Sequence, residues 1–162
     1  MHFTKEQIWQ FLSEVQDPEV PVLNILELGI VREVLVNKDD VEVVVTPTYS
    51  GCPATSMINM SIKLKLIEKG IKNSTLTNRL SPAWTTDWMT DDAKEKLKAY
   101  GIAPPVYSIS NQNDLFAKPD VVPCPHCGSK QTNQISQFGS TACKALYQCE
   151  DCKEPFDYFK CH

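Results

Sequence analysis

Cys124-Pro125-His126-Cys127-Gly128, followed after an interval of 21 residues (128 to 148) by Cys149-Glu150-Asp151-Cys152-Lys153, organises the C-terminal part of this chain. A Cys-x-x-Cys pair lets two thiolates approach one metal from a single tight turn, and a second pair completes a tetrahedron with sulfurs about 2.3 Å from zinc. The interval leaves room for a hairpin between the two knuckles. Gly128 eases the turn back from the first pair, whereas Lys153 holds the equivalent place in the second and suits it less well. Phe138, Tyr147, Phe156, Tyr158 and Phe159 supply a minimal apolar core. Residues 123–162 are therefore expected to form a zinc-ribbon-like module with Cys124, Cys127, Cys149 and Cys152 as metal ligands. Four thiolates suit zinc, a single iron or an iron-sulfur cluster, so the metal stays open between zinc and iron. Cys143 and Cys161 are candidate additional ligands, while His126 and His162 read as exposed imidazoles.

The rest of the composition narrows the setting. Seven cysteines, an odd number, in a chain without a secretion signal point to metal or redox chemistry in a reducing, cytoplasmic compartment rather than a disulfide framework. No apolar run approaches the roughly 18 residues that span a bilayer. Residues 1–102 carry 11 Lys/Arg against 14 Asp/Glu, and residues 103–162 carry 5 against 6. Cysteine ribbons are common in nucleic-acid machinery, but there a basic stripe is the expected footprint, and none exists here. Protein partners are expected instead.

Working towards the N-terminus, the polar, proline-punctuated residues 103–122, with Asn111 to Asp114 and Pro119, read as a linker. Residues 1–102 read as an α+β domain in the order helix, hairpin, helix, strand, helix. Thr4 and Gln7 form a capping box ahead of an apolar face of Ile8, Phe11, Leu12 and Val15, and Asp17-Pro18 ends that helix. Ile30 to Val36 and Val41 to Val45 make the hairpin. Pro53 opens a helix that Gly70 closes, Ser74 to Leu80 is a third strand, and Thr90-Asp91-Asp92 ahead of Lys94, Lys96 and Lys98 suits a helix dipole.

Cys52 stands at the start of the second helix, where free N–H groups and the dipole favour a thiolate, hence metal binding or nucleophilic attack. An isolated cysteine is equally a small buried hydrophobe, and both readings stand on these grounds. A thiol hydrolase would need a base, yet His2 is the sole histidine before His126, so the chain is not read as an enzyme. Asp17, Glu19 and Glu27 could line the same site or form an exposed acidic loop. The chain also lacks the paired Glu-x-x-His helices of a di-iron centre and a dinucleotide-binding glycine loop.

Asp17-Pro18-Glu19-Val20-Pro21, Leu28-Gly29-Ile30-Val31 and Ser50-Gly51-Cys52-Pro53 resemble the signatures of the SufT-like iron-sulfur assembly domain, over residues 1–102. With the segments Pro47 to Thr55, Pro82 to Thr90 and Phe138 to Tyr147, the chain resembles the small accessory D subunits of the bacterial phenylacetyl-CoA epoxidase system. That resemblance implies a maturation role in phenylacetate degradation, helping to place an iron-sulfur or iron centre in the multisubunit oxygenase. It also implies oxygenase and reductase components as partners. Cys52, ionised at its helix start, is then read as a candidate transient ligand for iron or a cluster, shared with a second chain, for which a homodimer is one option, because one cysteine cannot hold a cluster alone. An adaptor that docks those components through the ribbon is the alternative.

Overall fold

Thr4 starts the first helix as predicted. Its hydroxyl accepts from the Gln7 backbone N–H at 3.3 Å, and the Gln7 side chain accepts from the Thr4 N–H at 2.9 Å, completing the capping box. The helix, α1, spans Lys5–Leu12 and turns Ile8 and Leu12 inward. It ends well before Asp17-Pro18. The Ser13 hydroxyl bonds to the Gln10 carbonyl, and the N–H groups of Glu14 and Val15 reach back only three residues, so the chain tightens and leaves the helix before proline can act.

The computed structural model describes residues 2–48, 51–106, 121–141 and 143–159. Tyr49 and Ser50, the Asn111 to Asp114 stretch, Pro119, Cys161 and His162 lie outside the described residues. Contacts divide the chain into two units, one running to Ala93 and one from Lys94 to Cys161.

In the first unit β1 (Val31–Asn37) and β2 (Asp40–Val45) form the predicted antiparallel hairpin, turning through Lys38 at φ +54°. The helix α2 (Ala54–Glu68) follows, with Pro53 as its N-cap residue and Gly70 at φ +94° closing it. It returns the chain to β3 (Asn73–Asn78), which lies parallel to β2, so the sheet order is β1-β2-β3. A parallel neighbour requires such a crossover, and α2 supplies it. Val34, Val41 and Val43 of the sheet and Ile58, Ile62 and Leu66 of α2 are buried.

Next comes α3 (Asp91–Tyr100), with Asp91 and Asp92 in its first turn and Lys98 in its last. Gly101 ends it at φ +91°. Ile102–Ala103 then forms β4, which runs parallel to β7 (Pro155–Phe159). With β5 (Thr132–Ser136) and β6 (Lys144–Cys149) they make a sheet in the order β4-β7-β6-β5. Residues assigned from sequence to the end of the first domain and the start of a linker thus sit in the ribbon sheet. A two-residue strand carries no periodicity to read; its pairing with β7, Ile102 to Asp157 and Ala103 to Tyr158, reveals it.

The ribbon core consists of Ala103, Val122, Cys124, Ala145, Tyr147, Cys149 and Phe156, with Tyr158 packed against it. Tyr147 stacks on Phe156 at 5.8 Å and meets Tyr158 edge-on at 5.5 Å. Phe159 is buried too, but Phe138, expected in the core, is 59% exposed.

Candidate metal centre

The two knuckles are built alike. Cys124 N–H donates to the Ser129 carbonyl and Cys149 N–H to the Glu154 carbonyl, each closing a turn of the same length. Gly128 at φ +76° and Lys153 at φ +63° occupy matching left-handed positions. The lysine accepts a conformation that costs a non-glycine residue about 1 kcal/mol or more, held there by the turn around it.

These turns bring Cys124, Cys127, Cys149 and Cys152 together, all four sulfurs within 4.8 Å of one another. Across the knuckles Cys124 Sγ lies 3.8 Å from Cys152 Sγ, and Cys127 Sγ lies 3.6 Å from Cys149 Sγ. A tetrahedron with bonds of about 2.3 Å has edges of about 3.8 Å, while a disulfide would need about 2.05 Å. The spacing therefore fits a central cation and not cross-links.

Backbone donors act on the same sulfurs. The Cys152 N–H, aided by that of Asp151 and the neighbouring thiols, lowers the Cys149 pKa to about 7. At Cys152 the Glu154 N–H pulls downward, but loss of water and the thiols of Cys149, Cys127 and Cys124 outweigh it and push the pKa up to about 12. At Cys127 the Ser129 N–H is likewise outweighed by desolvation and neighbouring sulfurs, and the pKa rises. One thiolate forms readily and its neighbours resist a second negative charge. A divalent cation at the centre removes that conflict, because thiolates are its ligands.

Among the described residues no other cluster of His, Cys, Asp or Glu has this geometry. Cys143, a candidate additional ligand, is not brought in. It precedes β6 while Cys149 ends it, and a strand of that length separates them by roughly 20 Å. Cys143 Sγ instead lies 3.0 Å from Thr141 Oγ1. Cys161 falls outside the described residues, and His126 is exposed and absent from the cluster.

Cys52 is 8% exposed, and its carbonyl accepts from the Thr55 N–H at 3.1 Å as α2 begins. Both readings of this residue thus meet, since a buried thiol sits at a helix start. Buried polar atoms without a hydrogen-bond partner gather along the same stretch of chain. They are Thr46 Oγ1 just after β2, and Thr55 Oγ1 and Asn59 Oδ1 on the first turns of α2. Nothing in the residue types alone marks these three.

The acidic candidates serve the backbone. Asp17, 6% exposed, accepts from the N–H groups of Glu19 and Val20 at 2.8 and 2.9 Å. Glu27 accepts from the Asn24 N–H at 3.0 Å, while Asn24 accepts from Leu26 and Glu27 at 2.9 Å. Asp17 and Glu27 shape the loop before β1. Sequence reasoning also missed the role of the tryptophans near it. Buried Trp84 donates its indole N–H to the Leu28 carbonyl at 2.8 Å, and the Arg32 guanidinium lies 3.6 Å from the centre of the Trp88 ring.

Comparison with known proteins gives the two units separate relatives. Residues 5–70 match the family described as "Iron-sulfur cluster assembly protein", and residues 108–160 match the "PaaD zinc beta ribbon domain". The Escherichia coli K12 protein named as the D subunit of a "Putative 1,2-phenylacetyl-CoA epoxidase" is 49% identical over 96% of this chain and 92% of its own length. An "Fe-S protein maturation auxiliary factor" of Porphyromonas gingivalis is 35% identical over 58% of this chain and 90% of its own. Among solved structures, a DUF59 domain from Bacillus anthracis matches with a TM-score of 0.54 and 25% identity, over 57% of this chain and 90% of its own. No helix among the described residues is long and apolar enough to cross a membrane.

Proposed function

Since the chain belongs to the family of 1,2-phenylacetyl-CoA epoxidase D subunits, we propose that it is a non-catalytic maturation factor of aerobic phenylacetate degradation, acting in the cytoplasm. It would help assemble an iron-sulfur or iron centre in the multisubunit epoxidase. The observation that carries this reading is the union, in one chain, of an iron-sulfur assembly domain with a four-thiol centre.

In this reading Cys124, Cys127, Cys149 and Cys152 hold zinc or iron and brace the two knuckles of the ribbon, which serves as a recognition module for the oxygenase and reductase components. Cys52 is a transient ligand for the iron or cluster that is passed on. One thiol cannot hold a cluster, so a second copy of the chain supplies another. Burial of Cys52 supports brief occupancy opened by a partner, and the unpartnered oxygens of Thr46, Thr55 and Asn59 support a polar occupant nearby.

Metal and acid-labile sulfide analysis of anaerobically purified protein tests this. Ribbon metal lost in Cys124→Ser but kept in Cys52→Ser is expected, with sulfide lost only in the latter. Epoxidase that matures normally in cells carrying Cys52→Ser would refute the transfer role. The same buried thiol favours the adaptor as a second reading. Deletion that leaves the cofactor content of the epoxidase unchanged but abolishes complex formation would select it.

A further inference from the structure

The helix α2 is apolar on two opposite sides. Ala54, Ile58, Ile62 and Leu66 are buried, whereas Met57, Met60, Leu64 and Ile67 are 61%, 60%, 59% and 55% exposed. At about 100° per residue, the exposed four fall within roughly 80° of one another, opposite the buried row. Their spacing of three, four and three is the a and d pattern by which one helix seats against another. Four large apolar side chains in one continuous stripe mark an interaction surface.

We infer that this stripe is the contact between two copies of the chain, with the two α2 helices side by side and parallel. The flanking charges select that arrangement. Lys63 borders one edge of the stripe and Glu68 the other, five residues apart. In a parallel pair such flanking positions meet across the seam, so Lys63 of each copy faces Glu68 of the other, twice by symmetry. An antiparallel pair would bring the Lys63 edges together instead. Glu68 also pairs with Lys65 of its own helix at 2.9 Å, but this is an exposed contact, and a carboxylate accepts from two cations.

A parallel pair places both helix starts, and hence both Cys52 loops, at one end of the two-fold axis. In that respect the inference rests on the proposed sharing of a cluster; the seam itself is read from α2 alone. Four side chains, each little more than half exposed, offer less than the roughly 800 Å² per partner of a standard-size interface, so the dimer is weak and depends on concentration.

Sedimentation of the full-length, metal-loaded chain from about 1 µM to about 300 µM, a span that brackets weak association, reads it directly. The wild type should pass from monomer to dimer. Leu64→Glu, at an exposed position, should remain monomeric while keeping its circular dichroism and metal content. Lys63→Glu and Glu68→Lys should each weaken the dimer about threefold to tenfold, and the double exchange should return it to within about twofold of wild type. A wild-type monomer throughout, a dimer that survives Leu64→Glu, or single exchanges that the double does not rescue would each overturn the inference. In protein free of any cluster, Cys52→Ser should leave dimerisation unchanged, so a failed cluster role and a failed interface give different results.

Discussion

Gly29→Ala should be far more damaging than the same change at Gly70, although both glycines have positive φ, +72° and +94°. That conformation costs an alanine about 1 kcal/mol at either position. The surroundings differ. A Cβ at Gly70 would meet only Phe3 Cζ at 4.0 Å, an ordinary contact. A Cβ at Gly29 would overlap the Trp88 carbonyl oxygen and lie 2.7 Å from Trp88 Cβ and 2.9 Å from its carbonyl carbon. Backbone cannot rotate away as a side chain tip can, and overpacking of this kind costs a further 1–3 kcal/mol or so. The expected difference between the two variants is about 2 kcal/mol. Urea unfolding followed by tryptophan fluorescence measures it in the relevant unit, because Trp9, Trp84 and Trp88 all precede Lys94. With an m-value of about 1–1.5 kcal/mol/M, Gly29→Ala should unfold about 1.5 M earlier in urea than Gly70→Ala. Midpoints within about 0.3 M of each other would refute the claim that Gly29 is needed for its close approach to Trp88.

Trp84→Phe should cost about 1–3 kcal/mol in the same assay, because it leaves the buried Leu28 carbonyl without its donor. Thr4→Ala should cost about 1 kcal/mol by removing half of the capping box, and Thr4→Ser should restore most of it. Metal uptake by the apo ribbon should release about one proton fewer at pH 8 than at pH 6, measured in weakly buffered solution. Cys149, at about 7, is mostly thiolate at the higher pH, while Cys127 and Cys152 are not. The lowered pKa of Cys149 contributes stability to the apo ribbon that is present above the ordinary thiol value of 9 and lost as pH falls through about 7, while the raised values of Cys127 and Cys152 oppose it only as pH rises past 9. An apo ribbon whose melting is flat between pH 6 and pH 9 would contradict this.

Local signals are legible where neighbours in sequence carry the physics. The Thr4 and Gln7 cap, the hairpin through Lys38, the Pro53 and Gly70 limits of α2 and the charge order of α3 all depend on contacts within a few residues. The end of α1 is misread because proline announces a boundary loudly, while the Ser13 to Gln10 hydrogen bond that tightens the last turn is silent in composition. Hydrophobicity alone assigns Phe138 to the core, yet a ring on a short β5 to β6 connection has no such obligation.

The four cysteines that the structure gathers, and the helix, hairpin, helix, strand, helix order up to Tyr100, were legible in the residues alone, since paired knuckles and helix limits are built from residues a few positions apart. The same residues also carried the family resemblance that assigns an iron-sulfur assembly unit and a cysteine ribbon. Long-range pairing alone settles that β3 runs parallel to β2, that Ile102 and Ala103 join the ribbon sheet, and that Cys143 stands a strand's length from Cys149. The folded chain alone turned Asp17 and Glu27 onto backbone donors, buried Cys52 and left one face of α2 open. These outcomes depend on which distant segments share a sheet or a core, and a linear pattern does not encode that pairing.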